Sequence, residues 1–509
     1  MTDRDKIQAW RQAGLLDPPA VLERLSRAVE DMLKHCDYRP AIDNMRANFA
    51  SVCSPDQTLK IDSLSRWIAV QLAAENEATG NSVTNIPALT VALPLLFRGM
   101  RRMSAHPFSA TATPSEEAGI TFDGLLRGGS YSVEDVHNVW DTRDDAGDEL
   151  VHDVVDVLHL TQEDPGLGIA QVGWASFKAV AAELAKDEPE LREMVIGSRE
   201  LRLLIDAMMP LQGWLSYAGT RLPVREVGAD CTDALVAAFE VGGERRGWGA
   251  NYEVFDRVLA TAAPALMNPF HHLLEVFTAA FNPDVEPETA VPVAQIALAQ
   301  QSREGILTYD RLAQLRTFLQ AQAGEPVENL KLKWVWDGSS SSRAVSADGD
   351  VAATLAKTMD SAISETFLLV TGSSTDVGPD KTFTFGFYSP YGVQDKPGMG
   401  DHFPTDDGVS VAAIFELAPV QSAFSGVLGK PAWTVCGEKD SEVLQFGNPE
   451  AGASLQIDLS IGQATFTHKV PAAGEEELDL SAVFRPTAWR GSSEVKLKVK
   501  RLEVWFMDE

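Results

Sequence analysis

Val495-Lys496-Leu497-Lys498-Val499 and then Leu502-Glu503-Val504-Trp505-Phe506 close the chain with a strand-like run. Apolar and polar residues alternate, which puts Val495, Leu497 and Val499 on one face of a strand. The apolar alternation resumes one residue out of phase at Leu502, Val504 and Phe506, so Lys500 and Arg501 are adjacent polar residues. One extra residue flips the faces of a strand, and a β-bulge restores them. A bulge or strand break is therefore expected at Lys500–Arg501. Similar short runs lie upstream, at Ala413-Ile414-Phe415-Glu416-Leu417-Ala418-Pro419, Trp433-Thr434-Val435-Cys436, Leu444-Gln445-Phe446-Gly447 and Ser454-Leu455-Gln456-Ile457-Asp458-Leu459. Gly, Pro, Asn and Asp separate them, as turns require. Short strands at this spacing, without intervening helical stretches, predict an antiparallel β-sandwich.

The strand regime begins near residue 325. Leu330 to Trp336 reads as a strong strand, and Gly338-Ser339-Ser340-Ser341-Ser342-Arg343 as a flexible polar loop. A helix is expected over Val351 to Ile363. Strands follow over Thr366 to Thr371 and Thr382 to Tyr388, the second with Phe383, Phe385 and Phe387 alternating. Lys396 to Gly408 is a Gly/Pro/Asp loop. Upstream, apolar residues recur at three- and four-residue steps. Ile7, Trp10 and Leu15 begin the series, and Val21, Leu22, Leu25, Val29, Met32 and Leu33 continue it. Helices are predicted over Ile61 to Ala74, Pro87 to Met100, Ser132 to Trp140, Leu150 to Leu160, Trp174 to Leu184, Leu191 to Met209, Ala234 to Phe239, Tyr252 to Leu259 and Pro264 to Phe281. The fold class is α+β. An all-helical region over 1–324 precedes a C-terminal antiparallel β-sandwich with short helices over 325–509.

Three stretches repeat a pattern of turn, short extended piece and helix. They start at Thr58-Leu59-Lys60-Ile61, Gly119-Ile120-Thr121-Phe122 and Gly305-Ile306-Leu307-Thr308. The pattern resembles the second half of an EF-hand. Calcium requires carboxylates at loop positions one, three and five and a bidentate Glu at twelve. Aligned on Ile61, these positions hold Ser54, Asp56, Thr58 and Ser65. Aligned on Gly305, they hold Gln300, Ser302, Glu304 and Arg311. In the acidic loop Asp141 to His152, Arg143 and His152 take ligand positions. The helical region is expected to be EF-hand-like without functional calcium loops.

The chain has 509 residues and a formal net charge of −30, which disfavours phosphate backbones and anionic membranes. Cys36, Cys53, Cys231 and Cys436 lie far apart, which argues against a disulfide frame or a zinc site. The charged start Met1-Thr2-Asp3-Arg4 is not a secretory signal, and position 2 is not Gly, so N-myristoylation is not expected. The apolar run Ile86 to Phe97 is too short to span a bilayer.

No nucleophile elbow, phosphate loop or dinucleotide fingerprint is present in the sequence. His152, Asp156 and His159 fall on one helical face, with Asp148 a turn earlier. That spacing suits a metal, but a solvated acidic face is the simpler account, and no metal or cofactor is assigned. His271 and His272 are adjacent and point apart on a helix. Glu416, Asp458, His468 and Glu503 are the side chains that could line an acidic cleft.

The order Phe415-Glu416-Leu417-Ala418-Pro419, Phe446-Gly447, Leu455-Gln456-Ile457-Asp458 and Leu502-Glu503-Val504-Trp505 resembles the TLDc domain. Its motif positions fall on Phe415, Leu417, Pro419, Phe446, Gly447, Ile457, Asp458, Glu503 and Trp505. Gln456 stands where the family carries Trp, and Phe506 where it carries Gly. With its helical front half, the chain resembles the fungal restriction-of-telomere-capping protein group. The resemblance implies a non-catalytic cytoplasmic protein, peripheral at the vacuole, that binds peripheral-sector subunits of the vacuolar proton-pumping ATPase (V-ATPase), regulates its assembly and contributes to oxidative-stress resistance. The alternatives are an enzyme with an acidic cleft in the sandwich and a calcium-regulated adaptor. Nucleic acid is not an expected partner.

Overall fold

The computed structural model describes residues 3–14, 16–35, 39–78, 87–105, 119–130, 195–212, 226–242, 249–270, 305–323, 330–338, 354–355, 358–359, 366–374, 376, 381–389, 412–427, 433–436, 443–471 and 481–507. They fall into two compact units. One draws on 1–74, 89–194 and 268–288, the other on 75–88, 195–267 and 289–509. The helices expected over 132–184, the acidic loop 141–152, the His152–His159 face, His271–His272 and the loop 396–408 lie outside the described residues.

The first unit contains α1 (Asp3–Gln12), α2 (Pro18–His35), α3 (Arg39–Val52), α4 (Ile61–Ala78), α5 (Pro87–Ala105) and α6 (Phe122–Ser130). Pro18 at the start of α2 and Pro87 at the start of α5 suit a first turn whose amides lack intrahelical acceptors. Buried Arg127 of α6 joins three helices. Its guanidinium donates to the Ser104 carbonyl at 2.7 Å, to the Leu22 carbonyl at 3.2 Å, and to Ser26 Oγ. Phe49 meets Phe122 edge-on at 5.6 Å.

Two of the three repeated stretches pair with each other. The Leu59 amide donates to the Ile120 carbonyl at 2.7 Å, and the Ile120 amide returns the bond at 2.9 Å. Among the described residues, Gln57 is the one non-glycine with positive φ, at 59°. An EF-hand loop demands that geometry at its sixth position, where it carries Gly. Counted from Gln57, ligand positions one, three, five and twelve are Val52, Ser54, Asp56 and Ser63. The alignment on Ile61 is thus displaced by two residues. Asp56 is taken up locally, by Thr58 Oγ1 at 2.7 Å and Lys60 Nζ at 2.8 Å.

The second unit repeats the device. β1 (Val195–Ile196) pairs antiparallel with β2 (Ala250–Asn251), and each leads directly into a helix, α7 (Ser198–Leu211) and α9 (Tyr252–Ala262). The helix expected over Leu191 to Met209 therefore starts later, because Val195 and Ile196 are extended and Gly197 caps the helix. Asn251 Oδ1 caps α9 by accepting from the Val254 amide at 2.9 Å. Helices α8 (Ala229–Gly242) and α10 (Tyr309–Ala323) complete this layer.

The C-terminal strands are β3 (Leu330–Asp337), β4 (Thr366–Ser374), β5 (Thr382–Ser389), β6 (Ala413–Ala418), β7 (Ser422–Ser425), β8 (Trp433–Cys436), β9 (Val443–Asn448), β10 (Ala451–Asp458), β11 (Gln463–Lys469) and β12 (Ser493–Met507). They form one ten-stranded sheet in the order β7-β6-β5-β4-β12-β11-β10-β9-β8, with β3 also on β12. An antiparallel β-sandwich was the expectation, and the described strands join in one antiparallel sheet, hydrogen-bonded continuously through β12. Leu497 to Phe506 of β12 pairs with β4, while its other edge pairs with β11 over 493–498 and with β3 over 501–507.

The sheet folds so that its inner faces meet. Phe385 of β5 stacks on Phe466 of β11 at 4.5 Å, and Phe387 lies 4.6 Å from Phe446 of β9. Leu355 and Met359, in the described helical fragments of the stretch expected as a helix, are buried in the same core. The bulge falls where the phase break placed it. Val499 faces Gly372 and Arg501 faces Thr371, so Lys500 is the extra residue.

The helices cover the outer face of β4–β6 and of the end of β12. Phe367, Leu369, Tyr388, Phe415, Leu417 and Trp505 pack there against Leu312, Leu315 and Phe318 of α10. Strand β6 is consequently buried on both faces along its length, which explains its near-continuous apolar composition.

Candidate functional site

The motif carboxylates separate into three environments. Glu503 lies on the outer face of β12 and is fully buried. The Ile306 amide donates to Oε1 at 2.8 Å and the Leu307 amide to Oε2 at 3.1 Å. Arg501 Nε adds a bond to Oε1 at 2.7 Å, and Trp505 Nε1 one to Oε2 at 3.1 Å. The extended piece Gly305–Thr308, read from sequence as an EF-hand-like lead into a helix without a functional calcium loop, binds a carboxylate of the sheet. Residues two apart on a strand share a face, which is why Glu503 and Trp505 can meet. Arg311, placed by that alignment at a ligand position, donates instead to the Leu417 carbonyl at 2.8 Å, Gln314 Oε1 at 2.6 Å and Asp230 at 3.2 Å.

Glu416 points to the inner face and is also fully buried. Arg490 Nη2 donates to its Oε2 at 2.7 Å. Burial pushes the Glu416 carboxyl up to about 7, against the opposing pull of the Arg490 charge. Arg490 belongs to a short 3-10 turn, Ala488–Arg490. His468 of β11 grips the same turn with both ring nitrogens. Nδ1 lies 2.6 Å from the Gly491 carbonyl, and Nε2 accepts from the Thr487 amide at 3.0 Å. Accepting at Nε2 puts the proton on Nδ1, so the ring is the neutral Nδ1–H form. Burial lowers the His468 pKa, and the Arg490 charge adds to that. Trp489 of the turn donates to Thr261 Oγ1 of α9 at 3.2 Å.

Asp458 belongs to neither group. It ends β10 and accepts from the Ser460 amide at 3.0 Å and Ser460 Oγ at 2.5 Å, closing a turn. The structure thus brings Glu416 and His468 to one turn, places Glu503 on the opposite face of the sheet, and leaves Asp458 in a surface turn. The four do not line one cleft.

The remaining motif positions are packing or backbone positions. Phe415, Leu417 and Trp505 lie under the helices, while Phe446 and Ile457 lie in the inner core. Ala418–Pro419 is a cis peptide. Gly447 has φ 77°, and a Cβ there would meet the Ala453 carbonyl oxygen at 2.5 Å. Among the described residues, no group of three or more His, Cys, Asp and Glu is placed to hold a metal.

Residues 300–508 match the TLDc domain family. The chain carries a TLDc domain. Its matched span begins ahead of Ile306 and Leu307, so both amide donors to Glu503 lie within it. No curated protein and no solved structure matches the chain. Sequence reasoning missed Arg490, because a lone Arg in Thr487-Ala488-Trp489-Arg490-Gly491 carries no motif. It also missed β11 and β7, which Gly462 and Pro419 set off from their neighbours. Cys231 is buried, and burial raises its thiol to about 12, which makes it unreactive.

Proposed function

We propose that the chain acts through protein binding, as a TLDc protein that docks on the peripheral sector of the V-ATPase and regulates its assembly, and so contributes to oxidative-stress resistance. In this reading it is a non-catalytic cytoplasmic protein, peripheral at the vacuole, of the restriction-of-telomere-capping type. The TLDc match supports the reading, and the Glu503 environment carries it. The motif carboxylate is occupied by four internal donors, and two of them, the Ile306 and Leu307 amides, join the sheet to the helical layer. The motif thus builds the domain, and recognition falls to its surface. Among the described residues no helix is long and apolar enough to cross a membrane.

In the same reading, the loop pairs around Leu59–Ile120 and Val195–Asn251 are EF-hand-type scaffolding used to hold helices rather than calcium. Lys60 at Asp56 supports this, because an ammonium already neutralises the loop carboxylate.

The test is affinity purification of the tagged full chain from its own cells, with mass spectrometry of co-eluting proteins. Enrichment of peripheral-sector pump subunits is expected. A clean preparation without them rejects the pump as partner.

A further inference from the structure

The outer face of β12 changes character at the bulge. C-terminal to it, Glu503 and Trp505 lie buried under the helical layer. N-terminal to it, Lys496 and Lys498 point from the same face, and Lys500 follows in the bulge itself. All three are exposed.

Lysines often blunt the free edge of a sheet. That explanation does not apply to this row. Lys498 is paired with Gln463 of β11 on one side and Ser373 of β4 on the other. The row therefore occupies the middle of the sheet, flanked by uncharged Ser373, Gln463 and Thr465.

Its charge is compensated only in part. Lys496 is bound to Glu494 at 2.9 Å and lies in the field of Asp376. Lys498 and Lys500 enter no ion pair among the described residues. Asp458 is spent on its own turn. Two exposed cations, unpaired among the described residues, thus follow each other along one strand of a chain of net charge −30.

We propose that Lys498 and Lys500, with Lys496 beside them, form a docking strip for an extended acidic segment of a partner protein. Alternate residues of a strand stand about 6.7 Å apart, the repeat of alternate side chains on an extended peptide, so Asp or Glu at every second position would match the row. An anionic bilayer or a nucleic-acid duplex would bring its charge against the whole −30 molecule, whereas a short peptide meets only the local field. The proposal rests on the protein-binding reading above but not on the pump as partner.

The test uses the full chain and a fluorescent decaglutamate peptide, read by anisotropy. Saturable binding is expected, weakened about tenfold in K498E/K500E and on raising salt from about 0.05 to 0.3 M. The control R27E/K60E, with the same change of charge, should bind as the parent does. Single K498Q, a milder surface change, should weaken binding about threefold and covers the case in which the double variant fails to fold. The proposal is overturned if the parent does not bind decaglutamate, if K498Q and the double variant bind as the parent does, or if phosphatidylserine vesicles or duplex DNA bind the row as tightly as the peptide. Decaglutamate binding without co-purification of pump subunits would reject the pump reading alone. Co-purification without decaglutamate binding would reject the strip alone.

Discussion

The Ile306 amide and the Glu503 carboxylate, 197 residues apart in sequence, meet at 2.8 Å in a fully buried joint. That bond, with its partner from Leu307, fixes the start of α10 on the end of the sheet. With Arg501 and Trp505 added, both oxygens of Glu503 accept two hydrogen bonds each.

Replacing Glu503 by Ala leaves those donors buried without an acceptor and should destabilise the TLDc domain by about 3–5 kcal/mol. Glu503→Gln keeps one acceptor oxygen but sets an NH2 against a backbone N–H, and should cost about 1–3 kcal/mol. Urea unfolding midpoints of the full chain measure both. Equal stability of the Ala variant and the parent would show that the joint does not hold the domain.

Glu416 sets a pH dependence. Its folded pKa, about 7, lies above the ordinary 4.5, so the folded state holds the proton more tightly than the unfolded one. Stability from this group is full below about 4.5 and falls as pH rises to about 7, by on the order of 3 kcal/mol. Glu416→Gln keeps an acceptor for Arg490 and removes the titration. The difference in unfolding free energy between parent and variant should therefore change across pH 4.5 to 7 and level off above it. A constant difference would refute the assignment.

His468 acts in the opposite sense. Its folded pKa lies below the ordinary 6.5, so its contribution is full above that value and is lost as pH falls below it. Nitrogen-15 NMR of the imidazole should show the neutral Nδ1–H form persisting to lower pH than in an exposed imidazole. A ring that charges where an exposed imidazole does would mean that the grip on Thr487 and Gly491 is not made.

Gly447 and Gly491 both have positive φ, 77° and 67°. A Cβ at Gly447 would collide with the Ala453 carbonyl oxygen, while at Gly491 it would meet nothing within 4 Å. Gly491→Ala should cost about 1 kcal/mol for the backbone alone, and Gly447→Ala about 2–4 kcal/mol once the clash is added. Thermal unfolding of the two variants separates backbone cost from steric cost. Equal losses would show that the chain near Ala453 yields freely.

Much of the strand content was legible because alternation is local. The run Val495 to Phe506 even disclosed its bulge, since two adjacent polar residues cannot both face solvent on a regular strand. The union of all strands in one sheet was not legible. It depends on β12 finding β3, β4 and β11, and no local pattern encodes a partner. Glu416 shows a second limit. In Ile414-Phe415-Glu416-Leu417 a polar residue in phase with Ile414 reads as a surface position, yet both faces of β6 are covered and its partner is Arg490 in a distant turn. The Gly305–Thr308 piece was recognised as an extended lead into a helix, but its acceptor, Glu503, lies at the far end of the chain. The two-residue displacement at Ile61 arose because the sixth loop position shows itself by φ, and Gln57 does not announce a positive φ by its side chain.

The bulge at Lys500 makes a paired deletion informative. Without Lys500 the sequence runs Leu497-Lys498-Val499-Arg501-Leu502-Glu503-Val504, in which Leu497, Val499, Leu502 and Val504 still share the inner face. That deletion keeps every core contact of β12 and removes the Lys500 carbonyl that accepts from the Gly338 amide at 2.9 Å. It should cost about 1–2 kcal/mol, a backbone bond and the local bend. Deleting Lys498 instead makes Leu497 and Val499 neighbours, so one of them must leave the core or Lys500 must enter it. Exposing Val499, now 3% exposed, would cost about 1.5–3 kcal/mol, and burying an unpaired lysine costs more. Urea unfolding should rank the chains as parent, then the Lys500 deletion, then the Lys498 deletion by a wide margin. If both deletions were equally tolerated, the register of β12 would be set by its neighbours rather than by its own apolar phase.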